Sequence, residues 1–417
     1  MIEIKNKQDC CGCTSCASAC PKQCITMTAD SEGFLYPVVD KTRCIDCHIC
    51  EKKCPVLGRE KVVATPKLDK GEVNRRAIKN AEYLPETYVC FLKDEALRQQ
   101  STSGGAFTAL AQYVLGQNGI VCGVVLDKNQ KVVHTFAENE AELAGMRRSK
   151  YVQSCQEGVY QRIKNELQQG RIVLYSGTPC QVAGLKSYLG NKPENLITVD
   201  LVCHGTGSPL FWEKYVQYIS RKMKSPVKEI CFREKTYGYN SDCLAVYFQN
   251  GRSTHKGHDD DLYSAAFFKD FISRPSCYAC AFKTINHVAD FTIGDFWKTD
   301  LLPEKFKTAN GCTLMLCHSE MACKILKEIS PTIEAVSIEM ESALNINGGP
   351  QPSMIITSAV LPSRRNELFE DLAQGLPIDR ICAKYTPMTV KTKVKSLLKP
   401  VLYKLELLEV MKKMVNS

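Results

Sequence analysis

An α/β fold of more than one domain is what this sequence predicts, on three observations. The stretch Arg171–His204 reads as one strand–helix–strand unit. The chain has 417 residues, too many for one small core. Ten of its 23 cysteines fall before residue 55, a separate module in composition. The predicted order is therefore a small two-run cysteine domain, then an α/β domain.

The cysteines set the class. The opening MIEIKNKQ lacks the apolar core of a signal peptide, and no apolar run is long enough to span a membrane. A cytoplasmic location is expected, where cysteine serves metal or redox chemistry more often than disulfides. The net charge of +9 stands against 45 acidic residues, so it is a bias and not a polycation. It suits an acidic partner or an anionic cofactor, and no nucleic-acid signature accompanies it.

Residues 1–60 form the first predicted domain. Cys10, Cys13, Cys16 and Cys20 stand at C-x2-C-x2-C-x3-C before Pro21; Cys44, Cys47, Cys50 and Cys54 repeat the spacing before Pro55. This is the two-cluster ferredoxin pattern, in which three cysteines of a run hold one 4Fe–4S cube and the fourth crosses to the other. Cys10, Cys13, Cys16 and Cys54 are expected on one cube, and Cys44, Cys47, Cys50 and Cys20 on the other. Zinc sites pair two C-x2-C elements and need no third cysteine at that spacing. Cys11 and Cys24 read as packing residues, and His48 as a solvated turn residue. Residues 61–86 are charged and weakly periodic, a linker with at most one exposed helix.

The α/β domain is expected in two parts, 87–170 and 171–345. Thr87–Leu92, Ile120–Leu126 and Val132–Phe136 read as strands. Ser101-Thr102-Ser103-Gly104-Gly105 opens a helix to about Leu115, and small residues at a helix start suit a phosphate or a plain serine cap equally. Arg147-Arg148-Ser149-Lys150-Tyr151 reads as a nucleotide contact or a solvated turn. Ile172–Tyr175 and Leu196–Val202 are strands joined through a helix that Pro179 begins and Gly190 ends. Such a crossover makes the strands parallel neighbours, so Cys180 and Cys203 come to one sheet edge, where ligands bind in open α/β sheets. Cys277 and Cys280 add a C-x2-C pair. Four thiols match a third 4Fe–4S cluster or a zinc site, and spacing alone leaves both open. Residues 346–417 are expected to be helical and basic. Leu397, Val401, Leu405 and Leu408 sit among lysines there, spaced for docking on protein or for lying on an anionic membrane surface.

Taken together, STSGGAFTALAQYVL, RRSKYV, SGTPCQVAGLK, DLVCHG and C-x2-C…ADFTIGDFW resemble the beta-subunit family of coenzyme F-420 (deazaflavin) hydrogenases and dehydrogenases, over most of residues 87–345. Plant and cyanobacterial chlorophyll-pathway reductases are related to it. The resemblance implies FAD and one 4Fe–4S cluster in this domain, the cluster held by Cys180, Cys203, Cys277 and Cys280. It implies Ser103, Gly104 and Gly105 at the flavin phosphates, with Lys150, Tyr151, Thr178 and Gln181 near flavin or cluster. Lys150 and His204 are the residues expected to steer protons or substrate charge. The N-terminal module is not shared by every member, so the cofactors carry over and the deazaflavin substrate does not. The expected function is electron transfer between a hydride-exchanging small molecule and ferredoxin-type clusters through FAD. A flavin-free relay wired to a partner oxidoreductase subunit or a ferredoxin is the alternative.

Overall fold

The computed structural model describes residues 1–64, 69–191, 193–239, 243–308, 310–345 and 351–404, with only the backbone of 395, 400 and 404. The described chain divides into two compact units, Met1–Leu210 with Ser273–Leu361, and Phe211–Ile272 with Pro362–Ser417.

In the first unit both cysteine runs end in a single helical turn, α1 (Ser15–Ser18) and α2 (Ile49–Lys52). Each turn is entered through a left-handed residue, Thr14 at φ 66° and His48 at φ 57°, which turns the chain sharply between successive cysteines. Between them β1 (Ile25–Ala29) and β2 (Leu35–Val39) pair antiparallel, with Ile25 opposite Val39. The stretch expected to be a linker is docked instead. Its strand β3 (Val62–Val63) pairs with β12 (Ala279–Cys280), and its helix α3 (Lys70–Lys79) packs Val73, Ala77 and Ile78 on the core.

The large sheet follows. In chain order it is built from β4 (Glu86–Leu92), α4 (Glu95–Gln100), α5 (Ala106–Leu115), β5 (Ile120–Leu126), β6 (Val132–Ala137), α6 (Glu140–Ala144), α7 (Val159–Gln168), β7 (Val173–Ser176), α8 (Pro179–Leu189) and β8 (Leu196–Leu201). It resumes with β13 (Phe291–Phe296), β14 (Cys312–Cys317), α11 (Glu320–Glu328), β15 (Ile333–Ser337) and α12 (Met340–Leu344). Eight strands lie in the order β15-β4-β14-β13-β8-β7-β5-β6. The expected crossover is present: β7 and β8 run parallel, Val173 opposite Leu196, and β5 and β13 extend the parallel set. The other half, β13-β14-β4-β15, is antiparallel, which no single-segment pattern announces. Both faces are covered. Leu110, Val114, Leu174 and Ile325 belong to one buried layer; Ile163, Tyr175, Val182 and Leu185 belong to another.

The second unit takes α9 (Pro209–Met223), the antiparallel sheet β11 (Ser253–Lys256)-β10 (Cys243–Phe248)-β9 (Val227–Glu234) and α10 (Leu262–Phe268). It also holds α13 (Arg365–Ala373), α14 (Ile378–Tyr385) and α15 (Val390–Lys404). Aromatic packing forms its core: the Trp212 ring lies 4.9 Å from Phe232 and 4.8 Å, edge-on, from Tyr263. Of the apolar tail residues, Leu397 and Val401 are exposed on α15, and Leu405 and Leu408 lie outside the described residues. Among the described residues no helix is long and apolar enough to cross a membrane.

Candidate cluster sites at the sheet edge

The twelve cysteines singled out in the sequence fall into three groups. Cys20, Cys44, Cys47 and Cys50 line one cavity with Met1, Cys24 and His48. Cys10, Cys13, Cys16 and Cys54 lie close enough that their charges disfavour one another, the Cys16 thiol feeling both Cys10 and Cys54. Burial first, and those neighbours second, push Cys16 up to about 12. Cys180, Cys203, Cys277 and Cys280 line a third cavity.

The topology assembles that third cavity. β7 ends at Ser176 and hands the chain to α8, whose second residue is Cys180; β8 ends at Leu201, two residues before Cys203. Gln181 fixes the helix start, its side-chain oxygen accepting from the Thr178 N–H at 2.9 Å, and the Thr178 hydroxyl lies 3.1 Å from Cys180 Sγ. Cys277 sits in a short 3-10 turn and Cys280 in β12, which β3 holds from the far side. Burial pushes the Cys280 thiol up to about 12 and raises those of Cys203 and Cys277; Cys180 rises through its contact with Cys11 and then through burial. Thiols so disfavoured as anions become thiolates when a cation replaces their protons. Among the described residues, no three His, Cys, Asp or Glu side chains converge tightly enough for a single metal ion; these four surround a space.

The structure also places residues the sequence reading passed over. Cys11, read as a packing residue, is buried, packs in one cluster with Cys13 and Cys180 and lines the third cavity, joining the Cys10, Cys13, Cys16 and Cys54 group to the Cys180 group. Gly184 of α8 lets the N-terminal module approach: a Cβ there would lie 2.7 Å from Cys13 Cβ. Lys283 lines the cavity and donates to the Cys203 and Met354 carbonyls, its charge favouring the Cys203 and Cys280 thiolates. His287 lines it as well. A doubled cysteine next to a ligand, CysCys at 10–11, was the only signal in the sequence that pointed this way.

Of the remaining sequence-derived residues, His204 lines the cavity beside Cys203. Thr178 borders it through Cys180, and Gln181 is buried behind, donating to Ser154 Oγ at 3.0 Å. Ser103, Gly104 and Gly105 are elsewhere, where α5 meets the sheet. The Ser103 hydroxyl donates to Asp295, and the Gly104 N–H donates to Thr313 Oγ1 at 2.9 Å. A Cβ on Gly104 would lie 2.3 Å from the Cys90 carbonyl oxygen, so close packing already requires glycine there. Lys150 spends its ammonium on three carbonyls, Gly145, Arg147 and Arg148, at 2.9, 2.7 and 3.1 Å. Neither it nor the half-buried Tyr151 lines the cysteine cavity.

Residues 87–157 match the family model of the coenzyme F420 hydrogenase/dehydrogenase beta subunit N-terminal domain, and residues 170–342 match that of its C terminus. A chain of the F420-reducing [NiFe] hydrogenase complex from Methanosarcina barkeri is similar at 18% identity and a TM-score of 0.44, over 73% of this chain and 93% of that one. No curated protein matches the sequence. With both halves of the family pattern present in order around the sheet, the chain belongs to the coenzyme F420 hydrogenase/dehydrogenase beta-subunit family.

Proposed function

We propose that this chain is a cytoplasmic iron–sulfur flavoprotein that passes electrons between a hydride-exchanging small molecule and ferredoxin-type clusters, with a partner oxidoreductase subunit or a ferredoxin at the outlet. One observation carries the reading: Cys180, Cys203, Cys277 and Cys280 line a single cavity that Cys11 joins to the first N-terminal group. The donor set fits a 4Fe–4S cluster, which takes four thiolates, and four cysteines line this one cavity. The other eight cysteines fit two further cubes in a ferredoxin domain over 1–60. The α/β domain over 87–345 would carry the third cluster and the flavin.

FAD fits less completely. α5 starts at Gly105 with no side-chain cap, which suits a phosphate, whereas the Asp295 carboxylate beside Ser103 does not. A flavin, when bound, supplies the exchange between hydride and single electrons. The chain's own residues keep the cluster cavity buried, and His204 and Lys283 provide its polar wall. That carboxylate favours a second reading, a flavin-free relay that only wires clusters to a partner.

Anaerobic purification followed by iron and flavin assay separates the two. About twelve irons per chain, at four per cluster, with FAD released on denaturation support the flavoprotein; twelve irons without flavin support the relay. One bound zinc and no visible charge-transfer absorption would sink both.

A further inference from the structure

Arg274 is the largest fully buried side chain, 1% exposed, and its side-chain hydrogen bonds among the described residues go to neutral oxygens. Its partners are neutral. Nε donates to the Cys10 carbonyl at 2.8 Å, Nη2 to the Leu35 carbonyl at 2.9 Å and Nη1 to Gln153 Oε1 at 2.7 Å. The guanidinium also lies over the rings of Tyr36 and Phe34, 4.3 and 5.4 Å from their centroids. Gln153 in turn donates to the Cys11 carbonyl at 3.1 Å. Gly12, at φ 70°, makes room, since a Cβ there would come within 2.8 Å of Nη1. The Cys277 N–H is fixed by the Arg274 carbonyl at 2.8 Å.

Carbonyls and rings orient a buried cation but leave its charge uncancelled, and an uncancelled charge in an apolar interior is costly. Negative charge is on offer at the cysteine sites whose backbone Arg274 touches. Arg274 touches the backbone of both groups: its side chain holds the Cys10 carbonyl and its own carbonyl holds the Cys277 N–H, and Cys10 and Cys277 belong to two different groups. The remaining group, Cys20, Cys44, Cys47 and Cys50, lines a cavity that Arg274 does not border.

Resting on the three-cluster reading above, we propose that Arg274 is the shared counter-charge of two clusters, those held by Cys10, Cys13, Cys16 and Cys54 and by Cys180, Cys203, Cys277 and Cys280. It raises both reduction potentials together and leaves that of the remaining cube unchanged. A cube held by four thiolates is anionic, and one-electron reduction adds a negative charge. A fixed cation in a low-dielectric interior stabilises the reduced form most. Arg274 is a positioning residue in this sense: it touches ligand backbones and rings, and acts on the clusters through its charge.

The test is an anaerobic potentiometric titration of the whole protein followed by electron paramagnetic resonance, each signal assigned by its loss in Cys16→Ser, Cys47→Ser or Cys203→Ser. Arg274→Gln is expected to make two of the three clusters at least tenfold harder to reduce, 59 mV for one electron, with the Cys47 cluster unmoved. Arg274→Lys, which keeps the charge, should change them less than tenfold. Potentials that all shift together, or none that shifts, would overturn the proposal. Should the Gln variant lose iron, the Lys variant decides alone: potentials near wild type support a charge effect, and a tenfold loss refutes it. A wild-type protein with only eight irons would remove the third cluster itself, and the shared charge with it.

Discussion

Asp200 and His287 form a buried pair in which the imidazole Nδ1 lies 2.9 Å from both carboxylate oxygens. Asp200 stands at the end of β8 and also accepts from the Thr292 hydroxyl of β13 at 2.6 Å, so one carboxylate joins two strands and holds a wall of the cysteine cavity. Removing it strands the buried imidazole Nδ1 with no solvent to replace the carboxylate. Asp200→Ala is expected to cost about 3 kcal/mol or more, read as a lower urea midpoint with an unchanged slope. A midpoint within error of wild type would mean that the pair contributes nothing.

Acid should weaken the fold through His134. Burial holds its imidazolium down to about 4, from 6.5, and its ring bonds Ser154 Oγ at 3.0 Å and the Ser176 carbonyl at 3.1 Å. The folded pKa is the depressed one, so below about 6.5 the unfolded chain binds a proton that the folded chain refuses. Stability from this group is whole above that pH and is lost as pH falls toward 4. Between pH 7.5 and 5.5 the loss is about 1.4 kcal/mol. His318 adds to it, held down to about 3 by burial and then by its neighbour His287. Urea midpoints at the two pH values should differ less in His134→Gln than in wild type, and equal differences would exclude His134 as a source.

Gly184 is the point of closest approach between α8 and the N-terminal module. A methyl group there meets Cys13 Cβ at 2.7 Å and the Tyr160 hydroxyl at 2.8 Å. Gly184→Ala is expected to cost about 1–3 kcal/mol and to lower iron occupancy of the Cys10, Cys13, Cys16 and Cys54 site first. Full iron content with unchanged thermal unfolding would show that the contact gives way.

Cys11 and Cys280 should behave oppositely although both line the same cavity. Cys280→Ser removes a proposed ligand and should drop iron from about twelve to about eight per chain. Cys11→Ser keeps every proposed ligand and should retain all of it. Iron lost in the Cys11 variant would make that thiol a ligand and require the third set to be redrawn.

The sequence by itself determined the parts whose chemistry is local. Spacing of two and three residues placed Cys10, Cys13 and Cys16 on one turn and Cys44, Cys47 and Cys50 on another, because a short turn can orient only near neighbours. Pro179 and Gly190 bounded a helix, and the apolar runs beside it made Cys180 and Cys203 share a sheet edge. Tertiary structure decided the rest. It brought Cys11 against Cys180, put Arg274 across the Cys10 and Leu35 carbonyls, docked β3 on β12 and made half the sheet antiparallel. It also gave Lys150 three carbonyls to hold, and Ser103 a carboxylate, which residue type does not reveal. The reason is physical: spacing fixes what a few bonds can reach, whereas partners 142 to 264 positions apart are chosen by packing, where a missing Cβ or a buried charge selects one arrangement among many.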